Sequence, residues 1–523
     1  MSFALSRWKA FLIVLLVWAG VYLVGLGRQE LLGQEGRRVL PAITMLETGN
    51  WVVPKMADRE YYLKPPGINW LIALSFTLTG ERSEFTARLP SVVFILIFVS
   101  LLIWLPIPWL SIEVRLISAI VFLTSIGIID RGWLIEIEAV YVSLTGIATL
   151  LWLYIWSVKG SKWPLWIILS IVLGLGMLVK GPFILFFLYS VVISVLWYSG
   201  RLRDLFKIGH LAGLAFALLI AGGWFYLATQ QISSPKTTMT NTMTWEFLKR
   251  IFIKPNFGKW AIDVTKSFAY FLPWLFFVPM LWDKKLISRM EQAHAAIFRG
   301  CRLGMVTGFA AMCLMPGMFA RYVLPVYPMA SILTGWVLSL DKNPNPLWKK
   351  ALLACFLISC ATATAGVIFA TNKPAAGIVL ALAICATVIV FWKRDTVQNT
   401  LRLSLVTAAL CVVLMLQYAT SGLDIITSKE MRKPAAMQIN KIVPAGQTIY
   451  FFWHDYFYPA VFYLRPPVKY VHNADEISEQ VHYMIVKKID YDKLMAEGRI
   501  SSRSPEVLYD FRIPSEYELV RLN

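Results

Sequence analysis

The side chains best suited to chemistry lie in one polar stretch near the start of the chain, between Gly33 and Trp70. It carries charged groups between two apolar segments, among them Glu35, Arg37, Arg38, Asp58, Arg59, Glu60 and Lys64. A carboxylate such as Glu35, which follows Gln34, can act as a general base or help to hold a divalent cation. The plainer alternative is a solvated helix start, where a carboxylate is favoured.

Lys64 is followed by two prolines, which form a rigid, extended segment. This segment holds the ammonium group in place, where it suits a phosphate oxygen. A lysine that only reaches toward the membrane interface is the alternative.

Glu136 and Glu138 come later, after Asp130 and Arg131. Because residues two apart point about 200° apart on a helix, we expect only one of these carboxylates to face a shared cavity.

Lys180 stands between two apolar runs, just before Gly181-Pro182. A lysine in such a place needs an anionic partner, either a ligand or a structural carboxylate. Arg321-Tyr322 stands at the outer mouth of another apolar run. Glu246 and Arg250 have the spacing of an exposed helical ion pair. Together, these cations suit a lipid-linked phosphate, and the carboxylates suit a base or a metal ligand.

The composition predicts a membrane protein. The chain of 523 residues is 58% hydrophobic and 15% charged, against roughly 45–50% and about 25% in soluble domains. Apolar runs near the length of a membrane span recur, which predicts an α-helical polytopic protein rather than a β-barrel. The net charge of +19 is explained by basic loops on one side of the membrane rather than by binding of nucleic acid. A smaller part of this charge is expected to bind anionic membrane lipids.

The hydropathy pattern predicts about thirteen spans, with a retained first span rather than a cleaved signal peptide. Basic residues concentrate in alternate loops, which predicts a cytoplasmic N-terminus and an extracytoplasmic C-terminus in the inner (plasma) membrane. The six cysteines lie in or beside apolar runs, so no disulfide framework is expected. The predicted spans are 9–27, 86–106, 112–129, 139–157, 163–180, 182–199, 209–229, 266–282, 303–317, 321–340, 350–371, 375–392 and 402–420.

Two domains are predicted. Residues 1–420 form the transmembrane domain, which includes structured external loops at 28–85 and 230–266. Residues 421–523 form a small extracytoplasmic α/β domain. In the first loop we expect interfacial helices at Gln34–Thr48 and Ile68–Thr79. In the C-terminal domain we expect strands at Thr448–Trp453, Ala460–Tyr463 and Tyr483–Val486, and helices at Ala474–Gln480 and Tyr491–Glu497.

The first loop resembles that of the aminoarabinose transferase and protein O-mannosyltransferase-like membrane glycosyltransferases of the GT-C class (families 39 and 83). The likeness rests on the ordered segments QEGRRVLPAITMLETGNW and YLKPPGINW, and continues over about residues 1–340. Further matches are RLPSVV at Arg88–Val93, LVKGP at Leu178–Pro182, the Glu246/Arg250 pair, LPW at Leu272–Trp274 and RYVLPVYP at Arg321–Pro328.

The resemblance implies an inverting transfer of a sugar from a polyprenyl-phosphate donor on the extracytoplasmic side. The family has an Asp where this chain has Gln34, so Glu35 is the available carboxylate. A second family Asp falls on Glu136, with Glu138 nearly as suitable. A divalent cation held by Glu35 and Glu136 is a further expectation. The matched positions expected to bind donor phosphate are Lys64, Lys180, Arg321 and Tyr322, with Arg37, Asp58, Glu246 and Arg250 as further site residues.

The function predicted from the sequence is a glycosyltransferase that uses an undecaprenyl-phosphate sugar. Its acceptor is expected to be an envelope lipid such as lipid A, with a protein acceptor as the alternative. A flippase or transporter of lipid-linked sugars is a different class, and would carry polar groups through the bilayer midplane. An inactive binding or scaffold relative is a third hypothesis, raised by Gln34.

Overall fold

The computed structural model shows a mostly helical chain that divides into two units. The helical unit comprises Met1–Leu26, Leu63–Ile68 and Arg88–Gly422, and the loop–sheet unit comprises Gly27–Tyr62, Asn69–Ala87 and Leu423–Asn523. The structure describes residues 5–56, 59–158, 163–232, 241, 245, 248, 252–254, 256–340, 400–419, 432–452, 458–471, 473–510 and 517–523.

Most of the described chain is α-helix. The helices are α1 Arg7–Trp18, α2 Gly36–Thr48, α3 Gly67–Thr79, α4 Glu84–Trp104, α5 Ile112–Leu123, α6 Ile126–Gly132, α7 Ile137–Ser157, α8 Trp163–Lys180, α9 Phe183–Tyr198, α10 Ile208–Gln231, α11 Phe257–Ala269, α12 Lys284–Ile287, α13 Gln292–Cys313, α14 Tyr327–Leu340, α15 Thr400–Gln417, α16 Arg432–Ile442, α17 Tyr458–Val461 and α18 Lys488–Ala496. A π-helix continues α1 over Ala19–Leu23, and 3-10 helices occupy Leu202–Phe206, Trp274–Trp282, Ala320–Val326, Ala474–Glu476 and Ser501–Arg503.

In the described part of the chain, five helices are long and apolar enough to cross a membrane, or seven if each of two bent pairs is one span. This agrees with the predicted multi-pass membrane protein. The predicted interfacial helix at Ile68–Thr79 is present as α3, and the one at Gln34–Thr48 begins at Gly36 as α2. The predicted spans 350–371 and 375–392 lie outside the described residues, and the total of thirteen stays a prediction.

Two predicted spans are broken rather than continuous. The span at 112–129 bends by 61° between α5 and α6. At the bend, the hydroxyls of Thr124 and Ser125 donate to the carbonyls of Ile120 and Val121 at 2.6 and 2.7 Å, and the Ser125 amide donates to the carbonyl of Phe122 at 3.4 Å instead of continuing the helical pattern. The predicted span at 266–282 is likewise replaced by α11 and the 3-10 helix Trp274–Trp282, bent by 86°. Pro273 and Pro279 lack the amide hydrogens that a continuous helix needs.

Two short antiparallel strands, β1 Lys55–Met56 and β2 Arg59–Glu60, pair in the first loop. The C-terminal strands are β3 Ile449–Phe452, β4 Val468–Val471, β5 Tyr483–Lys487, β6 Glu506–Asp510 and β7 Tyr517–Arg521. They form one five-stranded sheet in the order β4-β3-β5-β7-β6. Strand β3 is parallel to β4 and β5, whereas β7 is antiparallel to β5 and β6. The apolar core packed against this sheet includes Met484, Leu494 and Val520.

One predicted strand is wrong. Ala460–Tyr463 is not extended, because the chain forms the helical turn α17 at Tyr458–Val461. Pro459 is tolerated in the first turn of a helix but lacks the donor that a central strand needs. The predicted strands at Thr448–Trp453 and Tyr483–Val486 correspond to β3 and β5. The helices predicted at Ala474–Gln480 and Tyr491–Glu497 correspond to a short 3-10 turn and to α18.

Helices α9 and α13 are packed backbone to backbone through small residues. A Cβ atom on Gly300 would lie 2.4 Å from the Cα of Val195, and one on Gly304 would lie 2.5 Å from the Cα of Val191. This Gly-x-x-x-Gly spacing lets helices approach closely where apolar burial gives little driving force. The contact supports α9 and, through the short break before it, the end of α8.

We expect Gly304→Val to destabilise the helical unit, because the added side chain would have to displace the backbone of α9. Overpacking of this kind costs roughly 1–3 kcal/mol or more. Thermal unfolding in detergent should show a midpoint several degrees lower than that of the wild type. Gly223→Val is the matched control, since a Cβ there meets nothing within 4 Å; equal midpoints for the two variants would contradict the packing argument.

Candidate active site

The start of α7 brings two carboxylates to one place. Glu136 precedes the helix with extended backbone angles (φ −103°, ψ 172°), whereas Glu138 lies in the first turn. Only 8% of Glu136 and 6% of Glu138 is exposed. Because Glu136 is outside the helix, the helical angle expected between the two residues does not apply. Both carboxylates are nonetheless buried, and of the two only Glu138 lines the small cavity described below.

Glu138 holds two cations with one oxygen. Its Oε1 atom lies 3.2 Å from Nζ of Lys180 and 3.2 Å from Nε of Arg321. The side chains of Lys180 and Glu138 are 16% and 8% exposed. This confirms the expectation that Lys180 has an anionic partner. One carboxylate faces two cations, so the group carries a local excess of one positive charge.

The break between α8 and α9 fixes where Lys180 lies. Gly181 has φ +97°, a conformation that glycine adopts readily, and its amide donates to the carbonyl of Met177 at 2.8 Å. Two aromatic rings complete the surroundings of the ammonium group, because Nζ lies 5.4 Å from the ring centre of Tyr141 and 5.2 Å from that of Tyr322. Such ring faces attract a cation without neutralising it.

Arg321 lies in the 3-10 helix at Ala320–Val326, whose first amide is held by a side chain of α11. Asp263 accepts the Ala320 N–H at 3.1 Å. The ring of Phe319 lies between two cations, 4.9 Å from the guanidinium carbon of Arg321 and 4.6 Å from Nζ of Lys259. The same aromatic ring is thus in contact distance of both cations.

Glu136 has a separate partner. Nη1 of Arg131 donates to Oε2 of Glu136 at 3.0 Å, and Nε of Arg131 lies 2.9 Å from a carboxylate oxygen of Asp130. Nη2 of Arg131 also donates to the hydroxyl of Tyr270 at 3.4 Å. Burial and the neighbouring Glu138 raise the pKa of Glu136 above its ordinary value, although Arg131 opposes this.

A small cavity reaches both Arg131 and Glu138. The rest of its lining is mostly apolar, including Ile95, Phe122 and Leu324, and it has room for about one water molecule. In the described part of the chain, no group of three or more His, Cys, Asp or Glu side chains is arranged to hold a metal. Glu136 contacts Arg131, and Glu138 contacts Lys180 and Arg321, so each carboxylate faces protein cations and the two do not fit a divalent-ion site.

Lys64 belongs to a segment packed against α8. A Cβ on Gly67 would lie 2.7 Å from the carbonyl oxygen of Leu178, so the segment runs along the last turn of α8. Pro65 and Pro66 are buried, whereas Lys64 is half-buried. The segment that carries Lys64 is therefore packed, through Gly67, against the turn that ends in Lys180.

The remaining described candidates lie in the loop–sheet unit. Glu35 is fully buried immediately before α2, and its Oε2 accepts the Leu32 N–H at 2.8 Å. Gln34 accepts a hydrogen bond from Nη1 of Arg37 at 3.2 Å. Nη1 of Arg38 donates to the hydroxyl of Tyr61 at 2.8 Å. Glu35 is thus held by its own loop backbone.

The sequence prediction was uneven. Glu136, Glu138, Lys180, Arg321 and Tyr322 come together in the helical unit, and Lys64 lies on a segment packed beside them. Asp58, Glu246 and Arg250 lie outside the described residues. Tyr141, Tyr270 and Phe319 were missed, because an aromatic residue in an apolar run carries no signal that distinguishes a cation contact from ordinary packing. Lys259 was missed as well, because a lysine in a predicted external loop looks like any other solvated cation.

Both the sequence and the structure of this chain are similar to those of known membrane glycosyltransferases. The profile of the family described as dolichyl-phosphate-mannose-protein mannosyltransferase matches residues 63–226, which include Lys64, Glu136, Glu138 and Lys180. The structure superimposes on crystallised ArnT from Cupriavidus metallidurans, bound to undecaprenyl phosphate, with a TM-score of 0.75 and 18% identity over 98% of this chain and 97% of that one. The fold is therefore similar to that of this crystallised ArnT over nearly the whole of both chains.

Several curated proteins of similar sequence are named as aminoarabinose transferases. The chain is 26% identical over 300 residues to the undecaprenyl phosphate-alpha-4-amino-4-deoxy-L-arabinose arabinosyl transferase of Erwinia tasmaniensis, covering 55% of this chain and 52% of the relative. It is 24% identical over 351 residues to the transferase of the same name in Pseudomonas savastanoi, covering 63% and 61%. The chain thus matches between half and two thirds of the length of these curated relatives.

We expect Glu138→Gln to lower the thermal unfolding midpoint in detergent, because the change removes the carboxylate charge between the largely buried Lys180 and the partly exposed Arg321. Removing one partner of a buried pair costs roughly 3–5 kcal/mol, and a double variant with Lys180→Met should recover part of the loss. Glu291→Gln is the control, since that carboxylate is 79% exposed. Equal midpoints for Glu138→Gln and the control would contradict the buried ion-pair arrangement.

Proposed function

We propose that this chain is a glycosyltransferase that moves a sugar from undecaprenyl phosphate to an envelope acceptor such as lipid A. The observation that carries the proposal is the carboxylate of Glu138 between Lys180 and Arg321. A polyprenyl-phosphate sugar is a phosphodiester with one negative charge, which suits contact with Lys180 and Arg321 because these two cations share a single carboxylate oxygen of Glu138. The names of the relatives and the fold of ArnT support the same donor.

In the proposed reaction, the bond between the anomeric carbon and the phosphate oxygen breaks, and the acceptor oxygen bonds to that carbon from the opposite side. The acceptor proton passes to a carboxylate base, for which Glu35 and Glu136 are the candidates. The leaving phosphate gains negative charge as the bond breaks. Lys64, Lys180 and Arg321 stabilise this charge more strongly than that of the bound donor, which lowers the barrier.

Glu138 has a different part in this proposal. A buried lysine or arginine without a counterion is costly, and Glu138 keeps both cations charged and in place before the donor arrives. The donor phosphate then shares or takes over the contacts to Lys180 and Arg321. Removing Glu138 therefore affects the placing of the cations rather than the transfer of a proton.

A protein acceptor is the second candidate. The family whose profile matches is described as protein mannosyltransferases, whereas the relatives in the curated set are named for aminoarabinose. Incubation of the purified protein with labelled undecaprenyl-phosphate sugars and an envelope extract would separate the two, because label would appear in lipid or in protein. No transfer from any donor to either fraction would refute the proposed function.

We expect the cation and carboxylate variants to fail in different kinetic ways. Lys180→Met and Lys64→Met should raise the donor Kd by about tenfold or more, since each removes one charge-assisted contact, while keeping the apolar stem. Glu35→Gln and Glu136→Gln should instead lower kcat about a hundredfold with little change in donor Kd. Binding and single-turnover rates with labelled donor measure both quantities.

The control for the cation variants is Lys284→Met, because Lys284 is an exposed lysine at the start of α12. Unchanged donor binding in Lys180→Met and Lys64→Met, together with unchanged rates in both carboxylate variants, would assign the chemistry to another part of the chain.

We propose further that the N-terminus is cytoplasmic, that the chain has thirteen spans in the inner membrane, and that the C-terminal sheet is extracytoplasmic. The concentration of Lys and Arg in alternate loops supports this orientation. It puts the chemistry on the side where an undecaprenyl-phosphate sugar would meet an envelope acceptor.

The orientation predicts a labelling pattern in intact spheroplasts. In a cysteine-free background, Ser478→Cys in the C-terminal domain should react with a membrane-impermeant maleimide, because Ser478 is exposed. Lys207→Cys, also exposed, should react only after the membrane is permeabilised. The reverse order of labelling would overturn the proposed orientation.

A further inference from the structure

The C-terminal domain is joined to the first loop by buried carboxylates of that loop. Glu30 is 5% exposed and accepts the first backbone amides of α16, with the Lys433 N–H at 2.8 Å from Oε2 and the Arg432 N–H at 3.4 Å from Oε1. A carboxylate there satisfies amides that the helix itself leaves unpaired and complements its dipole. The first turn of α16 is therefore fixed to the loop.

A second carboxylate extends this junction. Oε1 of Glu84 accepts from Nζ of Lys433 at 2.6 Å and from the hydroxyl of Tyr463 at 3.1 Å. The ammonium group of Lys433 also lies 5.4 Å from the ring centre of Tyr463. Nδ2 of Asn440 donates to the carbonyl of Tyr463 at 2.9 Å and holds its backbone to α16. We call Glu84, Lys433 and Tyr463 the tyrosine latch.

The latch reaches the candidate base through two consecutive amides. The hydroxyl of Tyr463 accepts the Leu31 N–H at 2.8 Å. The next amide along the chain, that of Leu32, donates to Oε2 of Glu35 at 2.8 Å. A single phenol oxygen thus connects the C-terminal domain to the backbone that holds Glu35.

The hydrogen-bond directions are consistent along this path. Burial, with a further contribution from Glu84, raises the pKa of Tyr463 far above its ordinary value, so the phenol stays protonated. It can then donate to Glu84 and accept from Leu31 at the same time. Phenylalanine at this position would keep the ring and lose both contacts.

We infer that Tyr463, set by Lys433 and Glu84, is a positioning residue for Glu35, and that this is a function of the C-terminal domain. The inference rests on the proposed function, in which Glu35 is a candidate base. A base acts only within hydrogen-bond reach of its proton, and displacement of about 1 Å can cost on the order of a hundredfold in rate. Release of the Leu31 amide would let the Leu31–Leu32 backbone, and Glu35 with it, move.

The first experiment measures kcat, donor KM and the thermal midpoint of Tyr463→Phe. We expect kcat to fall about tenfold or more while donor KM stays within about twofold, because the donor phosphate is bound elsewhere. Lys433→Met should lower kcat in the same way, and Lys433→Arg should restore most of it. Tyr450→Phe, a partly buried tyrosine of β3 in the sheet core, is the matched control. A kcat for Tyr463→Phe equal to that of the control would overturn the inference.

A double-variant cycle tests whether Tyr463 acts through Glu35. In the Glu35→Gln background, Tyr463→Phe should lower kcat no further, because the base that it positions is already gone. Equal fold-losses in both backgrounds would mean that Tyr463 affects activity by another route, and would refute the positioning role.

Amide hydrogen exchange gives a readout that does not depend on the reaction. Tyr463→Phe should speed exchange in peptides covering residues 28–38, whereas Tyr450→Phe should not. Unchanged exchange would overturn the inference whatever the activity. If the wild type transfers no sugar but exchange responds as expected, the proposed function fails and the holding of the Glu35 loop by the latch stands.

Discussion

Burial of charge in an apolar bundle is the constraint on which the arrangement of the helical unit depends. Lys180 follows an apolar helix and is largely withdrawn from solvent, so it is stable as a cation only with an anion in contact. Glu138 supplies that anion and is shared with Arg321. A carboxylate shared between two cations is a compromise, since neither cation is fully neutralised. In the proposed function, the donor phosphate supplies the second anion that these two cations share.

That pairing requires three local breaks in regular structure. Helix α8 must end at Lys180, which the positive φ of Gly181 allows. Helix α7 must begin between Glu136 and Glu138, so that its two carboxylates reach different cations. Arg321 must lie in a 3-10 turn whose first amide is taken by Asp263. Each break exposes backbone groups, and a polar side chain or a glycine at that point makes it tolerable.

Much of this could be read from the sequence, and the part that could not has a physical reason. Hydropathy located the long apolar helices, and the isolated position of Lys180 was enough to predict an anionic partner. Sequence alone could not choose the partner, because Glu138 lies 42 residues away and only the packing of α7 on α8 brings them together. The bend at Thr124–Ser125 was missed because hydroxyl groups in an apolar run are compatible with a straight helix as well as a bent one. Because Ala460–Tyr463 was predicted to be a strand, the contacts of Tyr463 were not foreseen. This residue follows the helical turn α17 and is not part of a strand.

Gln34 shows why the loop needs support from elsewhere in its unit. The resemblance puts the family Asp at Gln34, and both this residue and Glu35 precede α2, so the carboxylate of Glu35 stands one residue further along the loop. The observed loop accommodates this shift, since Gln34 bonds Arg37 as a neutral acceptor while Glu35 turns into the interior and takes the Leu32 amide. A buried carboxylate with such a contact is held by its backbone, and the position of that backbone then decides where the charge lies. The tyrosine latch fixes the neighbouring amide, which makes the C-terminal domain part of the geometry of the candidate base.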